Sequence, residues 1–172
     1  PLMPHARSPL GSWMRGLVSL ALAFGGFAGS AWAGLELSTD ARSLFFGRMQ
    51  LGEEKELAQF GTYHNEITCS STGNKTWHLK INLLHPLAAG NDTIPVESFA
   101  WQLFETAGIG TVANQRQFVP FQLSPDLVYV SGPDEANGAR ITFQLKYRLR
   151  IPEQQVKGLY QTTLRFTLTE VL

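Results

Sequence analysis

Few residues in this chain combine the types and spacings that chemistry requires. Its single cysteine, Cys69, has no histidine at a spacing typical of a thiol nucleophile, and no Gly-x-Ser-x-Gly motif of a serine hydrolase is present. His64, His78 and His85 are separated by 14 and 7 residues, so no His-x-x-x-His or Cys-x-x-Cys pair of metal ligands exists. We therefore predict that the chain is not an enzyme and that it holds no metal or cofactor.

Two loops are rich in carboxylates, which are ligands that calcium prefers. The first covers residues 53–56 (EEKE) and the second covers residues 134–138 (DEANG). Neither has the alternating series of oxygen ligands found in a calcium loop, and neither has a glycine pattern that would cradle phosphate. Solvated turns are the favoured interpretation of both loops.

A local basic stripe is the strongest candidate for an interaction face. Lys146, Arg148 and Arg150 alternate with apolar residues, so their side chains fall on one face of a strand. Arg165 is expected on the neighbouring strand, where it would complete the stripe. Such a stripe could contact a polyanion or an acidic protein surface, or it could be the solvated side of a strand, where charge discourages aggregation. We favour the solvated side.

Aromatic residues were considered as carbohydrate-binding groups, because sugars stack on exposed rings. Trp77 and Trp101 lie in register with the Leu, Ile or Phe residues of their strands, so both are predicted to face the core. Cys69 also lies in an apparent strand, where a buried and inert thiol is expected. No exposed row of aromatic residues is evident, and carbohydrate is kept as an alternative partner.

The N-terminal residues have the features of a secretory leader. Met14 precedes the apolar run Leu17 to Phe27, and Ala31-Trp32-Ala33 forms a small-x-small cleavage site. The run is shorter than the ~20 apolar residues of a membrane-spanning helix. We predict that residues 1–13 are a non-native upstream extension and that residues 14–33 are a signal peptide. The protein would then be exported to the periplasm, the cell surface or the medium, without a permanent membrane span.

Residues 34–172 are expected to fold as a single domain. Their number, 139, lies within the usual range of ~100–150 for one domain, so folding needs neither a metal nor a disulfide. They carry 12 basic and 14 acidic residues, which is a net charge of −2. This balance argues against nucleic acid as a partner, because no strong positive field is present.

Alternation of apolar and polar residues dominates this domain and predicts β-strands. Residues 141–151 alternate without interruption, and residues 160–169 repeat the pattern after a short turn at 152–158. We predict that these two segments form a long antiparallel pair. The other predicted strands are 63–69, 77–83, 99–103, 118–123 and 127–130, with weaker candidates at 35–39 and 44–51. Residues typical of turns separate the segments, so we predict an all-β antiparallel sandwich of about seven to nine strands.

The segment Gly158-Leu159-Tyr160 resembles the tyrosine corner of immunoglobulin-like sandwiches, in which a tyrosine hydroxyl ties a loop back to the backbone. Gly158 and Tyr160 would then be structural residues. Thr162 stands where antibody domains have their second cysteine, so the resemblance is to relatives without a disulfide. It implies an immunoglobulin-like fold.

The C-terminal segment resembles two kinds of bacterial surface protein. Residues 160–168 (YQTTLRFTL) are similar to the closing segment of WxL-type surface domains, with Phe166 in place of the tryptophan. The chain also resembles chaperone–usher pilins, because its last strands match the E and F strands of their fold and no G strand follows. In pilins a strand from a neighbour fills the resulting groove, and Leu35-Glu36-Leu37 is the candidate donor strand.

These resemblances imply a non-catalytic module at the cell surface, such as a fibre or pilus-like subunit or an adhesion domain. Protein partners or self-assembly are then expected. The alternative is a secreted or periplasmic β-sandwich that binds carbohydrate or another small ligand. Oligomerisation would indicate the first function, and a monomer that binds glycans would indicate the second.

Overall fold

The computed structural model describes residues 34–58 and 63–171, which belong to one compact unit. The predicted extension at 1–13 and the predicted signal peptide at 14–33 lie outside the described residues. Within the described part of the chain, no helix is long and apolar enough to cross a membrane.

Twelve strands follow one another along the described chain. They are β1 (Leu35–Thr39), β2 (Glu54–Leu57), β3 (Asn65–Ser71), β4 (Trp77–Leu83), β5 (Leu87–Ala89), β6 (Asp92–Ile94), β7 (Phe99–Thr106), β8 (Thr111–Val112), β9 (Val119–Pro120), β10 (Asp126–Val130), β11 (Ile141–Arg150) and β12 (Leu164–Glu170). The helical segments among these residues are two short 3-10 helices, Val96–Ser98 and Pro133–Glu135. The prediction of an all-β chain is therefore confirmed.

The strands form two main sheets that enclose one core in a sandwich-like arrangement. The first sheet has six strands in the order β1-β3-β11-β7-β9, with β2 paired to the C-terminal part of β11. The second sheet has four strands in the order β12-β4-β10-β8, and β5 and β6 form a separate hairpin. Every pair of these strands is antiparallel, as predicted.

β11 lies inside the six-stranded sheet and shows why alternation produces this fold. Its odd-numbered residues from Ile141 to Leu149 are buried, whereas the residues between them are partly exposed. It bonds to β3 along its first half, to β2 along its second half and to β7 on its other side. Because these neighbours keep β11 extended, its pattern of period two places one row of side chains in the core.

Aromatic rings from both sheets meet in the core. Trp77 of β4 packs against Tyr129 of β10 with the ring centroids 5.5 Å apart, and against Phe143 of β11 at 6.3 Å. Tyr129 lies 4.9 Å from Phe143, so the rings form one cluster. Trp77, Trp101 and Cys69 are fully buried, which confirms their predicted place in the core.

The predicted antiparallel pair of residues 141–151 with residues 160–169 is wrong. β11 belongs to the six-stranded sheet, whereas β12 pairs with β4 in the four-stranded sheet. The connection between them, residues 151–163, is longer than the predicted turn and crosses from one sheet to the other. Alternation identifies which side chains face the core, but strands that face the same core from opposite sheets share the same pattern.

Two further predictions are wrong for a related reason. Residues 44–51 form no strand, whereas the acidic segment 54–57, which begins in a predicted solvated turn, forms β2. β2 runs beside the cationic half of β11, so its glutamates lie opposite Arg148 and Arg150. Cross-strand pairs of opposite charge stabilise a strand that has little apolar character of its own.

Candidate functional site

The predicted basic stripe is divided between the two sheets. Lys146, Arg148 and Arg150 project from the outer face of β11, as their spacing predicted. Arg165 lies on β12, opposite Asn82 of β4, on the outer face of the other sheet. The stripe therefore does not exist as one surface, because the strands that carry it do not neighbour each other.

Carboxylates neutralise two of the three cations that lie on β11, Lys146 and Arg148. Lys146 Nζ is 3.3 Å from Glu56 Oε1, and a guanidinium nitrogen of Arg148 is 3.7 Å from Glu54 Oε1. The Lys146 side chain is only 14% exposed. These two cations hold β2 against the sheet, which makes them poor candidates for binding an outside polyanion.

Two phenylalanine rings complete this outer surface. Lys146 Nζ lies 4.7 Å from the centre of the Phe104 ring, and the guanidinium carbon of Arg148 lies 4.3 Å from the centre of the Phe118 ring. The guanidinium of Arg116 also approaches Phe104, at 5.9 Å. A cation therefore occupies a face of each ring on which a sugar would otherwise stack.

The residues of the predicted tyrosine corner lie in the connection between β11 and β12. The Tyr160 hydroxyl donates to the carbonyl oxygen of Val156 and accepts from Gln155 Nε2, both at 2.7 Å. Gly158 passes so close to β5 that an added Cβ would lie 2.7 Å from the Cβ of Ala89. Tyr160 thus ties the connection to its own backbone, and Gly158 lets it approach the β5–β6 hairpin.

β1 is the edge of the first sheet and β12 is the edge of the second. The two edge strands contact each other, and the core between them is only partly covered. Leu35 and Leu37 of β1 lie opposite Ser71 and Cys69, which are buried, so the two leucine side chains point towards the interior. Both leucines are nevertheless 37% exposed. An interior-facing side chain with this exposure indicates that the core is only partly covered there.

β12 borders the same open side from the other sheet. Its interior-facing residues lie opposite fully buried residues of β4, yet they remain partly exposed. These residues are Leu164, Phe166 and Leu168. Apolar side chains from both sheets therefore border one partly covered strip of the core, which we call the open side.

Backbone groups of both edge strands point to the open side. The bonds from Leu84 N to Thr163 O and from Val171 N to Thr76 O show that the odd-numbered residues of β12 pair with β4. In an antiparallel pair, the intervening residues direct their N–H and C=O groups to the opposite edge. In β1 the even-numbered residues bond to β3 in the same way. In both strands, a residue whose side chain faces the interior therefore directs its backbone N–H and C=O groups to the open side.

The open side widens into a cleft of about 1260 Å³ near the ends of β1 and β12 that carry Thr39 and Leu164. Segments 41–51 and 155–164 supply most of its walls. Four large apolar side chains stand on its rim: Phe45 (79% exposed), Leu159 (72%), Val156 (54%) and Leu51 (53%). Large apolar side chains that are exposed close together are common at interaction sites.

A short polar network crosses the floor of the cleft. The Tyr147 hydroxyl donates to Asn65 Oδ1 at 2.9 Å, and Asn65 Nδ2 donates to Thr39 Oγ1 at 3.1 Å. Burial raises the pKa of Tyr147 far above its ordinary value, although the hydrogen bond to Asn65 acts in the opposite direction. Tyr147 is therefore a neutral donor. The charged residues that line the cleft are both basic, Arg42 and Lys157.

The other end of the open side is closed by a contact between the sheets. Ser71 Oγ donates to Glu170 Oε1 at 3.1 Å. β1 is also fixed at this end, because Thr72 N donates to Gly34 O at 3.1 Å and Gly34 N donates to Thr72 Oγ1 at 3.0 Å. The predicted donor strand, Leu35-Glu36-Leu37, thus pairs with β3 of its own chain in this structure.

The second acidic loop is not simply a solvated turn, because Glu135 is buried. Its carboxylate accepts hydrogen bonds from Ile109 N at 2.7 Å, from Gly132 N at 2.6 Å and from the Tyr129 hydroxyl at 2.6 Å. Glu135 therefore joins two loops to β10. Among residues 34–58 and 63–171, no group of three or more His, Cys, Asp or Glu side chains could hold a metal ion.

Sequence reasoning did not identify the open side or its cleft. The signal that could have indicated them is the apolar content of two segments that form no strand, 44–51 and 156–160. Large apolar residues in loops need a surface to cover them. The cleft surface that these residues line forms only in the tertiary structure, which places both segments beside β1 and β12.

The open side combines apolar side chains, backbone groups that point outwards and a small polar network. This combination suits the binding of an extended chain, and the cleft could also hold a small molecule. No protein-family model matches the chain, and no curated protein matches it significantly.

Proposed function

We propose that the protein is a non-catalytic, exported subunit of a fibre or pilus-like surface assembly, which receives a β-strand from a neighbouring molecule in its open side. The observation that supports this most strongly is the coincidence of interior-facing side chains and outward-pointing backbone groups along β1 and β12. A strand lying there would bond to an edge strand, and its alternate side chains would cover Leu37, Phe166 and Leu168.

The order of the strands supports an immunoglobulin-like reading of the fold. β1, β3, β11 and β7 follow the order A-B-E-D of the first sheet of such sandwiches, and β12 beside β4 corresponds to F beside C. Tyr160 then stands at the corner between E and F, where a tyrosine corner belongs. In this lettering, strand G would lie beside β12, on the open side.

The energetics favour an occupied open side. Covering apolar surface contributes ~25 cal/mol per Å². Each main-chain hydrogen bond at the strand edge contributes a further ~0.5–1.5 kcal/mol. An edge strand with apolar side chains that is left without a partner is an aggregation hazard, and proteins usually cover such edges. A partner strand would bury this apolar surface, form these hydrogen bonds and cover the exposed edge.

The proposal can be tested with a labelled peptide that copies residues Gly34–Asp40, and with the protein itself at rising concentration. We expect saturable binding of the peptide, or self-association, with slower hydrogen exchange at the backbone amides of Phe166 and Leu168. These N–H groups would become bonded to the incoming strand. Failure of both probes, or binding that leaves these amides unprotected, would contradict the proposal.

Two leucines of equal exposure provide the matched variants for this test. Leu37 is 37% exposed and faces the open side, whereas Leu127 is 36% exposed and lies on the outer face of β10. Leu37→Lys should weaken strand binding about tenfold, because a charge replaces an apolar contact. Leu127→Lys should leave the affinity nearly unchanged. Equal losses in both variants would show that the strand binds elsewhere.

A second function, the binding of a carbohydrate or another small ligand, is favoured by the polar network on the floor of the cleft. Ligand sites combine apolar walls with a few fixed polar groups, as the hydrogen bonds among Thr39, Asn65 and Tyr147 provide here. A ligand confined to the cleft would not bond to the β12 edge. Hydrogen exchange at Phe166 and Leu168 therefore distinguishes this function from strand binding.

A further inference from the structure

The outer face of the four-stranded sheet has a charge pattern unlike that of the other sheet. The pairing of β12 with β4 places Arg165 opposite Asn82, Thr167 opposite Lys80, and Thr169 opposite His78. Lys80 and Arg165 are therefore diagonal neighbours, which in a sheet are ~7–8 Å apart. Leu127 of β10 lies on the other side of Lys80. No carboxylate occupies an outward strand position on this face of the described sheet.

The six-stranded sheet provides the contrast. Its outer face carries five glutamates, which lie on four strands. Three of these glutamates pair with cations of the same face. The five glutamates are Glu36, Glu54, Glu56, Glu66 and Glu105. Among the residues that the structure describes, no carboxylate lies within 4.0 Å of the Lys80 or Arg165 side-chain nitrogens. Arg165 is exposed and Lys80 is partly exposed, so an outside anion can reach both side chains.

We infer that the outer face of the four-stranded sheet, around Lys80 and Arg165, binds an acidic polysaccharide. Charge complementarity is the first reason, since this face is cationic although residues 34–172 carry a net charge of −2. Thr167 lies opposite Lys80 and two residues from Arg165 on β12, and Thr169 lies two residues further along the strand. The hydroxyl groups of both threonines can hydrogen-bond to sugar hydroxyls. These side chains lie on two neighbouring strands, so an extended polymer could contact several of them at once.

Other anionic partners fit this face less well. Single-stranded nucleic acids need aromatic rings on which their bases stack, and the outward strand positions of this face carry none. A protein partner needs a large buried anchor, usually Trp, Tyr or Arg in a pocket, whereas the apolar side chains here are Leu127 and Val130. The inference does not depend on the proposed strand binding, because it concerns a different surface.

The test is binding of a heparin oligosaccharide, a soluble acidic polysaccharide, to the whole chain at low salt. We expect a measurable affinity that decreases as salt is added, because binding releases counterions. The double variant Lys80→Gln with Arg165→Gln should bind about tenfold more weakly. Absence of binding by the unmodified chain at low salt would overturn the inference.

The matched control removes two positive charges from the opposite sheet. The double variant Lys146→Gln with Arg148→Gln changes the net charge equally, but its cations already pair with Glu56 and Glu54. It should bind heparin within about twofold of the unmodified chain. An equal loss in both double variants would overturn the inference, because net charge alone would explain it. A single-stranded DNA of matched charge that binds as tightly as heparin would also overturn it.

Discussion

Glu135 and Tyr147 are polar side chains that hydrogen bonds hold in the interior. Each connects parts of the chain that lie far apart in sequence. Glu135 joins the loop at Ile109 to the loop at Gly132, and Tyr147 of β11 reaches Asn65 of β3. Glu135 and Tyr147 stabilise the fold through their hydrogen bonds. A substitution that removes such a bond should therefore lower the free energy of unfolding even when the size of the side chain is unchanged.

The substitution Glu135→Gln should lower the free energy of unfolding by about 1–3 kcal/mol, because the new amide nitrogen cannot accept a bond from a backbone N–H. Chemical denaturation of both proteins measures the difference. Asp134→Asn, at an exposed neighbouring position, is the control and should change stability by less than about 0.5 kcal/mol. A similar loss in both variants would refute a special role for Glu135.

The buried tyrosines should make the protein sensitive to alkali. Burial raises the pKa values of Tyr129 and Tyr147 well above the ordinary 10.0, and it raises the pKa of Cys69 from 9.0 to about 12. These groups are neutral in the folded protein while they ionise in the unfolded chain. Stability is therefore fully present below pH 9 and is lost as the pH rises above the ordinary pKa values.

Tyr147→Phe tests the alkaline dependence. Each group that keeps its proton only when folded makes stability fall by about 1.4 kcal/mol per pH unit above its unfolded pKa. Urea unfolding from about pH 8 to about pH 11 should give a slope that is shallower in Tyr147→Phe by about one such group. An unchanged slope would show that Tyr147 ionises equally in both states. Tyr160→Phe is the control, because the Tyr160 side chain is only partly buried.

β11 and β12 have the same alternating pattern but different surroundings. β11 has neighbours on both edges, and its interior-facing residues are buried. β12 is an edge strand that borders the open side, and its interior-facing residues are only partly buried. The same substitution should therefore have unequal effects in the two strands.

Leu145→Ala should cost about 2–5 kcal/mol, because it empties a fully enclosed position in the core. Phe166→Ala should cost less, about 1–2 kcal/mol, since part of this ring is already in contact with water. Lys146→Ala, on the outer face of β11, should cost at most about 1 kcal/mol through loss of its contacts with Glu56 and Phe104. Equilibrium denaturation ranks the three variants. A larger cost for Phe166→Ala than for Leu145→Ala would mean that the open side is closed in solution.

At the scale of the whole molecule, the two proposed interaction surfaces are separate: the open side between β1 and β12, and the cationic outer face of the four-stranded sheet. The open side is apolar and offers backbone groups along a line, so it suits another polypeptide. The cationic face carries Lys80, Arg165 and two threonines beside the apolar side chains of Leu127 and Val130. Two independent surfaces of this kind would let a subunit join an assembly through one surface and contact a polymer through the other.

Light scattering across a concentration series, with reducing agent present, tests assembly directly. We expect the apparent mass to rise with concentration, because the partly covered core strip gains contacts when a strand of another copy lies on it. Leu37→Lys should suppress the rise, whereas Leu127→Lys should not. A monomer at every concentration would argue against unaided self-assembly and would make the small-ligand function the next one to examine.

Much of the secondary structure followed from local patterns. The run from Ile141 to Arg150 could only be a strand, because a helix would scatter its apolar residues around the axis. The core positions of Trp77 and Trp101 followed from the same register. β2 was missed because it forms mainly through pairing with charges on β11, and residues 44–51 were misread because their apolar side chains line the cleft instead of a strand.

The order of residues was sufficient to indicate an all-β chain and the side chains that face its core, since both depend on the chemistry of neighbouring residues. It could not indicate which strands pair, because strands from either sheet face the same core and carry the same pattern. Arg165 was therefore placed with Arg148 although it lies on the other sheet. The open side is likewise a property of sheet order: it exists because β1 and β12 are both edge strands, and edges arise only when the whole chain has folded.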